Sequence, residues 1–134
     1  MRTPADAETI LYQLIQGSAL DTACNGVIRK GQRPYDSDKE DIIINSPTGT
    51  IGQTQRMVAN VNIYVKDIIV PGDSHDTIKD SARIKVLSDL AVALLEEHYD
   101  VDYNFFSTNL WVMAEPDRKQ HFINIRMDFV SHPF

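Results

Sequence analysis

The chain holds one cysteine, Cys24, among 134 residues. A single cysteine forms no intrachain disulfide and cannot build a thiolate-rich zinc site, so the sequence fits a reducing compartment. Long apolar runs are missing too, because no stretch approaches the roughly 20 residues that span a bilayer. The first residues lead into an amphipathic pattern rather than the apolar stretch of a signal peptide. We therefore expect a soluble protein that is not exported by that route.

Basic residues are in the minority. Lys and Arg number 13 against 19 Asp and Glu, which gives a formal net charge of -6 and a sequence pI near 5.0. Domains whose main activity is binding nucleic acid usually present a basic face. The excess of acidic residues argues against a nucleic-acid-binding domain, although it leaves room for one local basic patch.

Sequence motifs for catalysis are absent: there is no G-x-S-x-G, phosphate-binding glycine loop, H-E-x-x-H or dinucleotide fingerprint. Two histidine clusters could hold a metal or exchange protons, or could simply be solvated helix ends. They comprise His75 with Asp73 and Asp76, and His98 with Glu96, Glu97, Asp100 and Asp102. Cys24 lies in "TACNGV", which matches no nucleophile motif, so a buried apolar role is expected. We predict no enzyme activity, no cofactor and no metal.

The order of elements predicts one domain over residues 1–134. Thr3, Pro4 and Asp6 form a helix start, and Gly17 can close the helix after its apolar stripe. Two short strands, "GVIRK" and "EDIIIN", follow, and then a Gly-Thr loop, "SPTGTIGQT". A long strand, a second helix of about 20 residues beginning near Ser74 or Asp76, and a hairpin complete the chain. The predicted fold is α+β, with a mainly antiparallel sheet and two helices packed on one face.

The long strand "QRMVANVNIYVKDI" has two different faces. Met57, Ala59, Val61, Ile63 and Val65 form the set expected to face the core. The opposite set is mixed in character and comprises Val58, Asn60, Asn62 and Tyr64. Such a mixed face suits a partner surface, but it could equally be covered by the first helix within the monomer.

The hairpin also suggests a second class of function. Its tip, "PDRKQH", places Arg118 and Lys119 near Trp111 and two phenylalanines, Phe105 and Phe106. Aromatic and basic residues together can stack and hold single-stranded nucleic acid. The same aromatics could instead be core residues, with the two charges serving solubility. A small nucleic-acid- or ligand-binding α+β module is the alternative function.

The order of the pieces resembles that of the tail completion, or tail terminator, proteins of long-tailed bacteriophages and prophages. The resemblance covers residues 5–130 and rests on "GVIRKGQRP", "EDIIIN", the Gly-Thr loop, "MVANVNIYV", the long helix and "HFINIRMDFV". It implies a non-catalytic protein without cofactors that forms a ring, typically a hexamer, on the end of the tail tube. Such rings end tube polymerisation and face the head–tail connector, so the implied location is the virion tail, with assembly in the host cytoplasm.

The resemblance also implies where subunits and partners meet. Residues 46–55 match the hairpin loop that such rings use for contacts with neighbours or with the tube, and the strand that follows matches their long central strand. From these regions and the hairpin tip we predict an interface formed by Thr48, Thr50, Gln53, Arg56, Asn60, Asn62, Tyr64, Arg118 and Lys119.

Overall fold

The computed structural model describes residues 3–49, 55–70, 72, 77–99, 103–115 and 118–131, with only the backbone at residues 48 and 55. The helices are α1 (Pro4–Ile15), α2 (Ala19–Ala23) and α3 (Ser81–Leu95). The strands are β1 (Ile28–Lys30), β2 (Ile42–Gly49), β3 (Gln55–Lys66), β4 (Ile68–Ile69), β5 (Thr77–Ile78), β6 (Glu97–Tyr99), β7 (Tyr103–Glu115) and β8 (Gln120–Ser131). The fold is α+β, as predicted.

Six strands form one sheet in the order β1-β2-β3-β8-β7-β6. Only the β1–β2 pair is parallel; the other pairs in this sheet are antiparallel. β8 lies between the two other long strands and pairs with β3 without interruption, from Gln55 opposite Ser131 to Lys66 opposite Gln120. The short strands β4 and β5 pair with each other in a separate ribbon.

The core lies on one face of this sheet, under α1 and α3. The five inward residues predicted for β3 are all buried there, and they pack with alternate residues of β8 from Ile123 to Phe129. Three α1 residues at four-residue spacing, Ala7, Leu11 and Ile15, are fully buried against them. The period-two and period-four patterns of the sequence therefore meet in a single hydrophobic layer.

The first helix begins and ends as the sequence predicts. The Asp6 carboxylate accepts a hydrogen bond from the Thr3 backbone N–H at 2.7 Å, and Pro4 occupies the first turn. Gly17 has φ of +77°, the left-handed conformation that glycine adopts without a steric penalty. The chain then turns directly into α2, a five-residue helix that the sequence pattern did not predict.

Two element boundaries differ from the prediction. The second long helix, α3, has 15 residues and begins at Ser81, because Thr77 and Ile78 instead pair with Ile69 and Ile68. β2 continues to Gly49 through the first part of the predicted Gly-Thr loop, and a bulge between Asn45 and Thr48 absorbs the irregularity. The rest of that loop, residues 50–54, lies outside the described residues.

Candidate functional site

The face of the sheet opposite the helices is the candidate interaction surface, and we call it the open face. Residues directly opposite one another in paired strands share a face, so the register identifies its members. Asn60 lies between Asn45 and Arg126, and Arg126 in turn lies opposite Asn109. The open face comprises Val58, Asn60, Asn62 and Tyr64 of β3, Phe122, Asn124, Arg126 and Asp128 of β8, and Asn109, Trp111 and Met113 of β7.

Asparagine side chains form a cluster at its centre. Asn124 Nδ2 donates a hydrogen bond to Asn62 Oδ1 at 2.6 Å and lies 3.4 Å from Asn60 Oδ1. All three residues are half-buried. A primary amide has two N–H donors and a carbonyl with two lone pairs, so the cluster has hydrogen-bonding capacity beyond these contacts.

One corner of the open face is covered from within the chain. The Arg33 guanidinium lies 3.9 Å from the centroid of the Tyr64 ring, and its Nη1 donates to Gln120 Oε1 at 2.8 Å. Burial, followed by the nearby Glu115 charge, raises the pKa of Tyr64. Of the two alternatives for this face, cover by the first helix is wrong, because α1 packs on the opposite face and the segment 31–41 covers the Tyr64 corner.

Asp41 anchors this covering segment. Its buried carboxylate accepts hydrogen bonds from Ser37 Oγ at 2.6 Å, Val27 N–H at 3.0 Å and Arg33 Nε at 3.0 Å. Burial acts to raise the pKa of Asp41, but these hydrogen bonds and the Arg33 charge outweigh it, so the pKa lies below its ordinary value of 3.8. The Asp41 carboxylate therefore stays charged at neutral pH.

A second, partly buried ion pair holds α3 against the chain that leads into the sheet. Arg83 Nε lies 2.6 Å from Glu40 Oε2, and Arg83 Nη2 donates to the Ala23 carbonyl at the end of α2. Asn25 Oδ1 accepts a hydrogen bond from the Glu40 backbone N–H at 2.8 Å. No local sequence pattern predicts this pair, because its two members are 43 residues apart.

The hairpin tip does not form the basic, aromatic platform considered for nucleic acid. Arg118 Nη1 lies 2.6 Å from Asp36 Oδ1, so an acidic neighbour offsets its charge. Phe105 is buried on the core face, whereas Phe106 lies opposite Asp128 on the open face. Trp111 is 49% exposed, so the prediction that it belongs to the core is wrong.

The other predicted interface residues are distributed around the start of β3. Arg56 is exposed and lies opposite Val130, beside a depression of about 210 Å³ that Arg126 and Asp128 also line. Thr48 pairs with Val58 through the backbone. Thr50 and Gln53 lie outside the described residues, and Lys119 occupies the tight turn before β8 with φ of +52°.

The two histidine clusters considered for a metal or for proton exchange lie only partly within the described residues. Among those residues, no group of three or more His, Cys, Asp and Glu side chains could hold a metal ion. The His75 cluster lies outside the described ranges, as do Asp100 and Asp102. His98 is stacked between Tyr103 and Phe105, with ring centroids 5.1 Å from each. Glu97 and His98 are adjacent strand residues and so point to opposite faces.

Cys24 is buried, as the sequence predicted. Burial and, after it, the Glu40 charge raise the pKa of its thiol to about 12, so at neutral pH it is the protonated thiol rather than a nucleophilic thiolate.

A scan against protein-family models and a search of curated proteins gave no match to this chain. Across the ranges that the structure describes, none of the helices has the length and apolar character needed to cross a membrane.

Proposed function

We propose that this chain is a tail assembly protein of a phage or prophage, of the tail completion or terminator type. In this role it forms a hexameric ring on the end of the tail tube, ends tube polymerisation and contributes to joining the head and the tail. Its partners are further copies of itself, the tail tube protein and the head–tail connector. The sequence resemblance over residues 5–130 suggests the role, and the open face is the observation that carries it.

The open face has the size of a macromolecular contact surface. β3 has 12 residues, which extend over about 40 Å at roughly 3.3 Å per residue, and β8 runs beside it for its whole length. Amide, aromatic and apolar side chains are mixed across it, as they are at many protein interfaces. A surface of this form suits contact with another protein better than it suits a small substrate.

Two polar atoms on the open face support contact with a partner. Arg126 Nε and Asp128 Oδ1 are buried and lie 3.6 Å apart, and neither has a hydrogen bond among the described residues. Buried polar atoms in folded proteins nearly always have a partner, from the protein, from water or from a bound molecule. The two side chains as a whole are 43% and 32% exposed, so a neighbouring subunit can reach this pair.

A ring also needs a second patch, because each subunit of a cyclic ring presents two different surfaces to its two neighbours. The outer surface of α3 offers exposed apolar side chains at Val86 and Val92, on the far side of the core from the open face. Contact between the open face of one copy and the helical layer of the next would be heterologous, as ring closure requires.

The decisive experiment combines purified chain with tail tubes assembled from the tube protein encoded beside its gene. Light scattering and negative-stain imaging should show a ring with a central hole, either free or on one end of each tube, and tube growth should stop. The proposal would be refuted if the protein neither assembled into a ring nor bound tube ends, and if the tubes kept lengthening in its presence.

Arg56→Glu provides a variant test. Arg56 lies at the start of β3 beside the predicted contact loop, so charge reversal should weaken assembly more than it weakens folding. Lys79→Glu, at an exposed position before α3 and outside the sheet, is the matched control and should leave assembly unchanged. Equal losses of thermal stability and of assembly in Arg56→Glu would show that Arg56 serves the fold instead.

A further inference from the structure

The outer edge of β7 lacks a neighbouring strand over most of its length. β6 pairs with β7 only at residues 104–106, and the Ser107 N–H donates to the Glu96 carbonyl at 3.1 Å. Beyond that point, within the part of the chain that the structure describes, no strand pairs with the outer edge of residues 108–115. Alternate residues of such a strand direct their backbone N–H and C=O groups away from the sheet, where another strand can bind them.

The side chains of this segment are unusual for a solvent-facing edge. Leu110 and Val112 are each 39% exposed on the core face, and Trp111 and Met113 are 49% and 46% exposed on the open face. No charged residue occurs between Ser107 and Ala114. Edge strands usually carry charges, proline or distortions that prevent pairing with another chain, so an uncharged edge that is apolar on both faces is a pairing surface.

β7 carries one distortion, a bulge between Ser107 and Asn109, at the start of this segment. The opposite edge of the sheet is protected more fully. β1 is only three residues long, and its Arg29 and Lys30 are exposed. Where β1 ends, β2 carries the bulge after Asn45 and an exposed proline, Pro47, which has no N–H to donate. Of the two described edges of the six-stranded sheet, β7 is therefore the more favourable one for a strand from another molecule.

We propose that residues 108–114 of β7 pair in antiparallel fashion with the same segment of a second copy. Pairing of β7 in one copy with the β1–β2 edge of another is disfavoured, because the β1–β2 edge is protected. The remaining arrangement pairs β7 of one copy with β7 of the other. The absence of charge between Ser107 and Ala114 means that self-pairing places no like charges together. The partner is thus a second copy of this chain, related to the first by a two-fold axis.

The fold limits the register of this contact. β6 occupies the outer side of β7 before Ser107, and the turn into β8 follows Glu115, so an added strand must fit between these two limits. An antiparallel pair that fills this space is centred on Trp111. The two Trp111 side chains then lie directly opposite each other, with Leu110 opposite Val112 of the other copy. Aromatic and β-branched pairs of this kind are favourable across antiparallel strands.

This inference goes beyond the proposed function and does not depend on it. A two-fold contact joins two sheets into one continuous sheet, but it cannot by itself close a six-fold ring. The edge contact and the ring contact therefore use different surfaces, and they can be tested separately.

Trp111 is the only tryptophan in the chain, so its signals report on the edge contact directly. In a dilution series of the full chain without tail tubes, light scattering should show a dimer that dissociates at low concentration. The fluorescence emission should shift to the red over the same range, and an exciton couplet in the circular dichroism spectrum should disappear with it. A dimer without these spectral changes would place the contact elsewhere and overturn the proposal.

Val112→Lys inserts a charge into the edge and should raise the dimer dissociation constant at least tenfold. Val27→Lys, at a position of similar exposure before β1, should leave it unchanged. Thermal melting of both variants verifies that they fold. If Val112→Lys does not fold, Ala114→Lys, at the end of the segment, provides a second edge variant.

Two results would overturn the edge contact and leave the ring proposal standing. One is a dimer dissociation constant that is the same in both edge variants as in the wild type. The other is a wild-type chain that stays monomeric at its highest soluble concentration. Capping of tail tubes decides the ring proposal independently. Loss of the dimer in both edge variants, with retention in Val27→Lys, supports the edge contact whether or not tubes are capped.

Discussion

Replacing Asp41 with asparagine tests whether the segment 31–41 is held on the open face by charge. The substitution keeps the size and shape of the side chain and removes its negative charge. In the wild-type chain the Asp41 Oδ2 atom accepts from both Arg33 and Ser37, and Oδ1 accepts from the Val27 N–H. An asparagine whose single oxygen faces Val27 would direct its NH₂ group at two other donors.

The expected loss follows from these contacts. Two hydrogen bonds to a charged acceptor disappear, at about 1.5–3 kcal/mol each. Removing one partner of a buried ion pair typically costs about 3–5 kcal/mol, which agrees with that range. Because Arg33 retains its contacts with Gln120 and the Tyr64 ring, we expect a loss in free energy of unfolding at the low end of this range, about 3 kcal/mol. With roughly 2.1 cal/mol/K of unfolding entropy per residue over 134 residues, the Tm should fall by about 11 °C.

The loss should depend on pH in a defined direction. The pKa of Asp41 is lower in the folded chain than its ordinary value of 3.8, so its contribution to stability is complete above that value. It is lost as the pH falls through the folded pKa, because the wild-type carboxylate then becomes neutral. The difference in free energy of unfolding between wild type and Asp41→Asn should therefore be constant near pH 7 and shrink below about pH 4.

Urea denaturation followed by circular dichroism measures this difference at each pH. Asp89→Asn is the matched control, because Asp89 forms an exposed ion pair with Lys85 and should change stability by less than about 0.5 kcal/mol. An Asp41→Asn variant as stable as this control at pH 7, or one whose deficit persists unchanged at pH 3, would refute the electrostatic reasoning.

Three further outcomes follow from the same region. Gly26→Ala should cost about 2 kcal/mol in urea denaturation, because the new Cβ would collide with Asp41 Oδ1 and the Glu40 carbonyl; an unchanged midpoint would contradict that geometry. Gly31→Ala meets open space but must keep φ of +85°, so its cost should be about 1 kcal/mol, smaller than that of Gly26→Ala. Cys24, with its pKa raised to about 12, should resist maleimide at pH 8 until the chain unfolds, and rapid labelling of native protein would show that the thiol is accessible.

Local patterns were sufficient to predict the framework of this fold. The alternation in β3 identified its buried face, and the spacing from Ala7 to Ile15 identified the buried stripe of α1, because each pattern reflects the period of one element. The start of α3 was predicted too early. Whether Thr77 and Ile78 join the helix or pair with β4 depends on a neighbour across a turn, which helix-start signals do not include.

The candidate site was harder to predict, because it depends on contacts that are distant in sequence. Arg33 contacts Gln120, 87 residues away, and nothing in the composition of its loop indicates that it folds back over Tyr64. Trp111 was assigned to the core from its residue type, but its burial depends on what lies beyond β7 in the sheet. Strand order is a property of the whole chain, so the exposed edge could not be seen from the hairpin sequence alone.

The position of β8 has a consequence for how the protein is made. β8 follows both β3 and β7 in the sequence, yet it lies between them and joins them. While the ribosome is still synthesising residues 120–131, neither long strand has its central partner, and the apolar residues of β3 have no finished sheet to enter. The sheet can therefore be completed only after residues 120–131 have been made, and any pause before β8 emerges leaves two strands exposed to chaperones or to aggregation.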